Sequence, residues 1–216
     1  EAQDTQEQAQ AVLTLATEQG FPFWQAYAIV LQGWARLERG QAEGLAQMQQ
    51  GLGTWQAQGA EVGRTWSLAM LAEAYGRVGQ TEAGLTILAD ALAAVARMGE
   101  RFGEAELYRL KGELLLRAGP PPPASQVVPP GAPRPLPDTA AKACFHDAIV
   151  IARRQQAKVW ELRAVRSLSR LWQQQGQREA ARALLAPLYA WFTEGVDTPD
   201  LQEAQTLLAA LAPAGV

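Results

Sequence analysis

The sequence predicts an all-α solenoid of stacked antiparallel helix pairs, and three observations carry the prediction. A unit recurs about every 40 residues: FPFW (21–24), AEVG (60–63), ERFG (100–103) and AKVW (157–160) align on Phe23, Val62, Phe102 and Val159. Ten residues past each anchor stands a small residue: Gly33, Ala72, Gly112 or Ser169. Seventeen past it stands a glycine: Gly40, Gly79, Gly119 or Gly176. Self-similarity at such a period marks supersecondary units that bury their apolar faces only by stacking. Runs of β-branched residues alternating with period two are absent, so the stacked elements are helices.

The elements follow in order, about ten helices in all. Residues 1–20 (helix over AQDTQEQAQAVLTLATEQ) lead straight into the first anchor, where the second helix of a preceding repeat would lie. With Glu1 first and no methionine before Met48, the chain reads as a piece of a longer protein cut inside a repeat. Repeat one spans 21–59, with expected core residues Trp24, Ile29, Leu31 and Leu37, then Leu45, Met48, Leu52 and Trp55. Repeat two spans 60–99, with Trp66, Leu68, Leu71 and Tyr75, then Leu85, Leu88, Leu92 and Val95. Repeat three spans 100–157 and carries a proline-rich insertion at 120–137, so its second helix is expected from about 138. Repeat four spans 158–195, and 198–212 reads as a capping helix with Thr198 as cap and Pro199 at the first position. Together these form one repeat domain. Each first helix is expected to stop at its glycine, the residue that takes the left-handed cap conformation without a steric penalty. The small column at 33, 72, 112 and 169 lets paired helices approach closely. A second small column, Gly44, Ala83, Ala140 and Ala180, opens the partner helices.

The insertion holds 9 of the 13 prolines. Proline fixes φ and removes a donor, so this stretch is not helical. It reads first as a tolerated surface loop; PPPP (120–123) and PGAP (130–133) also satisfy PxxP, a weak pattern in any proline tract.

Composition narrows the function classes. The net charge of −3 argues against general nucleic-acid binding, but residues 101–182 carry 14 basic and 7 acidic side chains against 5 and 11 in residues 1–100. No apolar run reaches the roughly 18 residues of a membrane span, and no signal peptide opens the chain. The lone Cys144 rules out an intramolecular disulfide and suits the reducing cytoplasm. No phosphate-binding GxxxxGK[ST] occurs. Cys144 and His146 are two residues apart on one helix and point to different faces, so neither a zinc site nor a nucleophile pair is expected; Cys144 reads as packed and His146 as exposed. Glu104/Glu106 and Asp197/Asp200 sit at helix starts, where they favour the positive end of the dipole. No catalytic residue, cofactor or metal is expected, and the chain reads as a non-enzyme.

Small residues at these helix positions resemble tetratricopeptide-type (TPR) repeats, and the 39–40-residue period resembles the superhelical repeats of the bacterial maltose-regulon activator class. EAELYRLKGELLLRAG (104–119) and the stretch 141–204 are similar to the C-terminal repeats of large bacterial proteins with an AAA-type or signal-transduction ATPase, often with a nucleotide-cyclase-like domain. That resemblance implies a right-handed superhelical α-solenoid used for sensing or docking, with any catalytic parts elsewhere. The proline-rich insertion departs from the family pattern.

In such repeats ligands lie on the concave surface of the first helices. Offsets of 4, 7, 11 and 15 from each anchor place Tyr27, Val30, Trp34 and Glu38, then Trp66, Ala69, Glu73 and Arg77, on that surface. Glu106, Arg109, Glu113 and Arg117 follow, then Arg163, Arg166, Arg170 and Gln174. The surface runs from aromatic through mixed charge to an arginine ladder whose repulsion must be offset by an anion, a carboxylate or solvent. Three readings stay open: a peptide or protein segment, in part acidic; purely structural pairing of Glu73, Glu106 and Glu113 with neighbouring arginines; and single-stranded nucleic acid. Self-association through Trp55 or Trp191 is a further alternative.

Overall fold

A computed structural model of the chain describes residues 2–59, 63–119 and 137–212. Val62 and most of the proline-rich insertion, residues 120–136, lie outside these. Among the described residues there are ten α-helices and no strands. They fall into two compact units, Glu1–Arg101 and Phe102–Val216.

The first unit holds α1 (Ala2–Glu18), α2 (Pro22–Glu38), α3 (Glu43–Ala57), α4 (Arg64–Arg77) and α5 (Thr81–Met98). Helix α2 packs on α1 and α3, and α4 pairs with α5. The second unit holds α6 (Glu104–Ala118), α7 (Pro137–Arg154), α8 (Lys158–Gln174), α9 (Arg178–Ala190) and α10 (Pro199–Ala210). There α6 pairs with α7 and α8 with α9, while α10 lies on both α8 and α9. Pro137, the last residue of the expected insertion, is instead the first residue of α7, a position where its missing N–H costs nothing.

The expected helix-ending glycines all take positive φ, from 66° at Gly119 to 79° at Gly79. Second helices end in the same way at Gly20, Gly59 and Gly99, but α9 ends at Trp191, with φ −68°, and α7 at Gln156, with φ 56°. A side chain with Cβ is disfavoured there by about 1–2 kcal/mol. Part of that is returned by glycine's larger unfolded-state entropy. Gln156→Gly is therefore expected to raise the unfolding free energy by about 0.5–1 kcal/mol, read as a shift in urea midpoint at constant slope.

The first small column does what close packing demands. A Cβ on Gly33 would stand 2.6 Å from the Gly44 carbonyl oxygen and 2.7 Å from Met48 Cγ. A Cβ on Gly112 would stand 2.5 Å from the Phe145 ring. Ala72 is fully buried, and Ser169 is buried with its hydroxyl donating to the Ala181 carbonyl at 3.3 Å. The second column is corrected by one residue. Only Gly44 of that set is buried; in the other hairpins the buried small residue is the next one, Gly84, Ala141 or Ala181. The contact falls one residue later there although α5 and α9 begin two residues after their glycines and α3 begins three after Gly40.

Each unit has its own core. In the first, Val30, Leu45, Met48, Leu52, Met70, Leu71 and Ala74 cluster, with Trp34 and Trp66 packed half-buried against them. In the second, Phe145, Ile149, Leu162, Val165, Leu168 and Leu185 cluster with Leu201, Ala204, Leu207 and Leu211 of the final helix and its end. Trp24, expected in the core, is 51% exposed. Trp55, expected in the core and also offered as a self-association residue, is buried against Phe23 and Tyr27. Thr198 occupies the cap position of α10, but its hydroxyl donates back to the Gly195 carbonyl at 2.7 Å and caps no helical N–H.

Candidate functional site

Helix α8 has apolar residues on one face, Leu162, Val165, Leu168 and Leu171, all buried. The 3.6-residue period then puts Arg163, Arg166 and Arg170 together on another face. In the second unit that face lies between α6 and α10, and both supply carboxylates. Arg163 Nε reaches Asp200 Oδ2 at 2.7 Å, and its Nη1 lies 3.5 Å from Glu106 Oε1. Arg166 Nη1 is 3.0 Å from Asp200 Oδ1 and 3.5 Å from Glu203 Oε2. Arg170 Nη2 reaches Glu203 Oε2 at 2.7 Å. On the α6 side, Arg109 forks onto Glu106 through Nε and Nη2, both at 2.8 Å. Ser167 donates to Glu113 Oε1 at 2.7 Å.

The arginine ladder is thus flanked by two acidic rows, and its mutual repulsion is offset by carboxylates from the same unit. The members differ in exposure. The Arg166 side chain is 10% exposed and Arg109 11%, whereas Arg163 is 32% and Arg170 46% exposed. Burial pulls the Arg166 guanidinium below its ordinary pKa, partly countered by Glu203 and Asp200. Arg163 also lies over the Trp160 ring, 5.3 Å from its centroid. Arg117 is exposed on the last turn of α6. Beyond Arg170 a groove of about 600 Å³ runs between α8 and α10, lined by Gln173, Gln174, Gln202 and Thr206. Buried ion pairs and half-open guanidiniums thus sit side by side on one face.

In the sequence, Asp200 and Glu203 are legible only as helix-start residues. A signal exists: acids three apart on the helix after the ladder match arginines three and four apart on it.

In the first unit the candidate residues assemble differently. Tyr27 meets the Trp55 ring edge-on, with centroids 5.7 Å apart. Arg77 bridges Glu38 of α2 at 2.5 Å and Glu73 of its own helix at 3.1 Å. Burial opposes the Arg77 charge, but those two carboxylates outweigh it and raise its pKa. Val30 and Ala69, expected at the surface, are buried.

A third charged cluster escapes the sequence reading. Glu161, 4% exposed, accepts from Arg153 Nε and Lys158 Nζ, each at 2.7 Å. Desolvation works against its charge, yet the two cations outweigh it and hold the carboxyl below 4.5. A lowered folded-state pKa means that this stabilisation is complete above about pH 4.5 and is lost as pH falls through the lower folded value. Glu161→Gln is expected to cost about 1–2 kcal/mol at pH 7 and to weaken the fall in stability as pH drops below the ordinary carboxylate range, measured by urea unfolding from neutral to acid pH.

Cys144 is buried and its thiol is pushed up by desolvation, while His146 is exposed. Alkylation of Cys144 at about pH 8 is expected to be at least about tenfold slower in the native chain than in urea, followed by mass spectrometry. Among the described residues no three His, Cys, Asp or Glu gather as metal ligands, and no helix is long and apolar enough to cross a membrane.

No protein-family model matches the chain, and no curated protein matches it. Solved structures do. BtubC (BKLC) from P. vanneervenii superposes with a TM-score of 0.69 at 15% identity, covering 97% of this chain and 82% of that one. A Podosopora anserina protein described as a putative kinesin light chain with nearly identical TPR-like repeats gives 0.60 at 18% identity, covering 87% and 85%. A point variant of that same protein gives 0.58 at 18% identity, covering 88% and 85%. The helix pairs, their glycine ends and these likenesses agree on the architecture: the chain has a TPR-like fold, an α-solenoid of antiparallel helix pairs.

Proposed function

We propose that this chain is a non-catalytic interaction scaffold whose α8 face takes a carboxylate-bearing peptide or protein segment. The observation that carries the reading is the pairing of half-exposed Arg163 and Arg170 with Asp200 and Glu203. Those two side chains already occupy the places that a ligand's carboxylates would take. A ligand carboxylate exchanges for them at little desolvation cost, because Arg170 and Glu203 are both nearly half exposed. Nucleic-acid phosphates would meet the same acidic rows as a carboxylate but with a denser charge, and of the two self-association residues Trp55 is buried while Trp191 is 58% exposed.

The buried members act differently. Arg166 and Arg109, with Glu106 and Asp200, hold α6, α8 and α10 in register, so the structural reading describes the floor of the face and the docking reading its rim. On the resemblance of residues 104–119 and 141–204, the scaffold belongs to a larger bacterial signalling or regulatory protein of the ATPase or cyclase-like kind, where docking here controls a catalytic part elsewhere.

The test is recovery of partners from the source cells by immobilised wild-type chain and by the Arg163→Gln/Arg170→Gln double variant. The proposal expects a partner whose recovery falls at least about tenfold with the variant. Equal recovery by both would overturn it. Nucleotide turnover by the isolated chain would overturn the non-catalytic assignment.

A further inference from the structure

An open apolar groove of about 330 Å³ lies between α1 and α2, lined by Thr5, Ala9, Val12, Trp24, Tyr27 and Leu31. Val12 is 38% and Trp24 51% exposed. Superposing the helix ends, Gly20 on Gly59 and Phe23 on Val62, carries these positions onto Gly44, Met48, Gly51, Gly63, Trp66 and Met70. In that hairpin the equivalent surface is covered by α2. Cβ atoms placed on Gly44 and Gly51 would collide with Leu37, Val30 and the Ala26 carbonyl, and Val30 clusters with Met48 and Met70.

The second unit repeats the arrangement. Superposing Gly20 on Gln156 and Phe23 on Val159 carries the groove onto Ala141, Phe145, Ala148, Trp160, Arg163 and Ser167. Here α6 is the cover. Gly112 abuts the Phe145 ring, Glu106 lies 3.5 Å from Arg163, and Glu113 accepts from Ser167 at 2.7 Å. Twice, then, the same register positions are covered by the first helix of the hairpin whose second helix contributes half the groove.

We infer that the α1–α2 groove is the seat of one further helix of the same polypeptide, encoded N-terminal to α1 and lying on α1 as α2 lies on α3. Its chemistry follows from the register. In α3 and α7 a bulky side chain, Met48 or Phe145, requires glycine opposite it, Gly33 or Gly112. In α1 the equivalent residue is Ala9, small and already buried with 1% exposure, so no glycine is required of the occupant at that place. The rest of its buried stripe is apolar, to meet Val12, Trp24 and Leu31.

The test compares the 216-residue chain with the full-length natural protein, both carrying Val12→Cys with Cys144→Ser. Maleimide labelling of the peptide holding residue 12 is followed by mass spectrometry, with Gly53→Cys, on an open face of α3, as the control. Labelling of residue 12 is expected to be fast in the 216-residue chain and at least about tenfold slower in the full-length protein, with residue 53 equally fast in both. Equal rates at residue 12 would overturn the inference. Protection in the shorter chain that grows with its concentration would also overturn it, by assigning the groove to a second copy. As a second variant, Val12→Asp is expected to leave hydrogen exchange in α1 of the shorter chain unchanged and to speed it at least about fivefold in the full-length protein; no change in either overturns the inference.

Discussion

Phe145→Ala is expected to lower the unfolding free energy of the second unit by about 3–5 kcal/mol, the range for emptying a fully buried aromatic site. Phe145 has no exposed surface, and it seats against Gly112, where no Cβ fits. Collapse around the vacancy is limited because α6 and α7 are already held close by that small residue. The companion change makes the result diagnostic. Gly112→Leu alone overpacks the same contact and is expected to cost about 1–3 kcal/mol. Gly112→Leu with Phe145→Ala refills part of the volume and should be less damaging than the sum of the two single changes, a coupling that urea unfolding of all four chains measures. Strict additivity would show that the two residues do not share one packing site.

Asp200→Ala is the second large effect, about 3 kcal/mol, because removing one partner of a buried ion pair leaves the other charged and poorly solvated. Arg166 would retain Glu203 at 3.5 Å and the residue-200 backbone carbonyl at 3.3 Å, and Arg163 would lose its 2.7 Å contact. The loss is local in origin: α10 brings Leu201, Ala204 and Leu207 to the core of the second unit, and Asp200 ties the first turn of α10 to α8. Hydrogen exchange should therefore accelerate first in α10, ahead of α7 and α8. Glu203→Ala, at a side chain 48% exposed, is expected to cost under about 1 kcal/mol. A similar cost for both would mean that burial does not distinguish the two pairs.

Much of the architecture is legible in the sequence because it rests on local rules that a repeat writes several times. Glycine at a left-handed cap is a backbone requirement, and it recurs at positions 40, 79, 119 and 176 with the φ values to match. Close helix approach is equally legible where a Cβ has no room, as at Gly33 and Gly112. The second small column falls one residue away in three hairpins because the face a partner helix buries depends on its rotation against its mate, which the sequence period does not fix. Trp24 lies outside its expected core because hydrophobicity alone does not say whether a neighbouring helix is present to cover it.

The candidate face is legible in half. Helical periodicity places Arg163, Arg166 and Arg170 together, but their partners come from α10, some 30–40 residues on. Asp200 and Glu203 sit in the first turns of a helix, where dipole and capping arguments account for acids equally well. Only the packing of α10 on α8 turns those residues into counter-ions. Which arginines are floor and which are rim depends on burial, and the 10% exposure of Arg166 beside 46% for Arg170 has no trace in a one-dimensional pattern.

The claim that half-exposed guanidiniums on α8 exchange their own carboxylates for a ligand's is tested most directly by affinity. Peptides selected from a random displayed library against the wild-type chain would be titrated into wild type and the Arg163→Gln/Arg170→Gln variant at two salt concentrations. The account predicts enrichment of Asp- and Glu-bearing sequences whose affinity falls at least about tenfold in the variant and weakens with salt in wild type. Selected peptides that lack carboxylates, or that bind both chains equally, would contradict it.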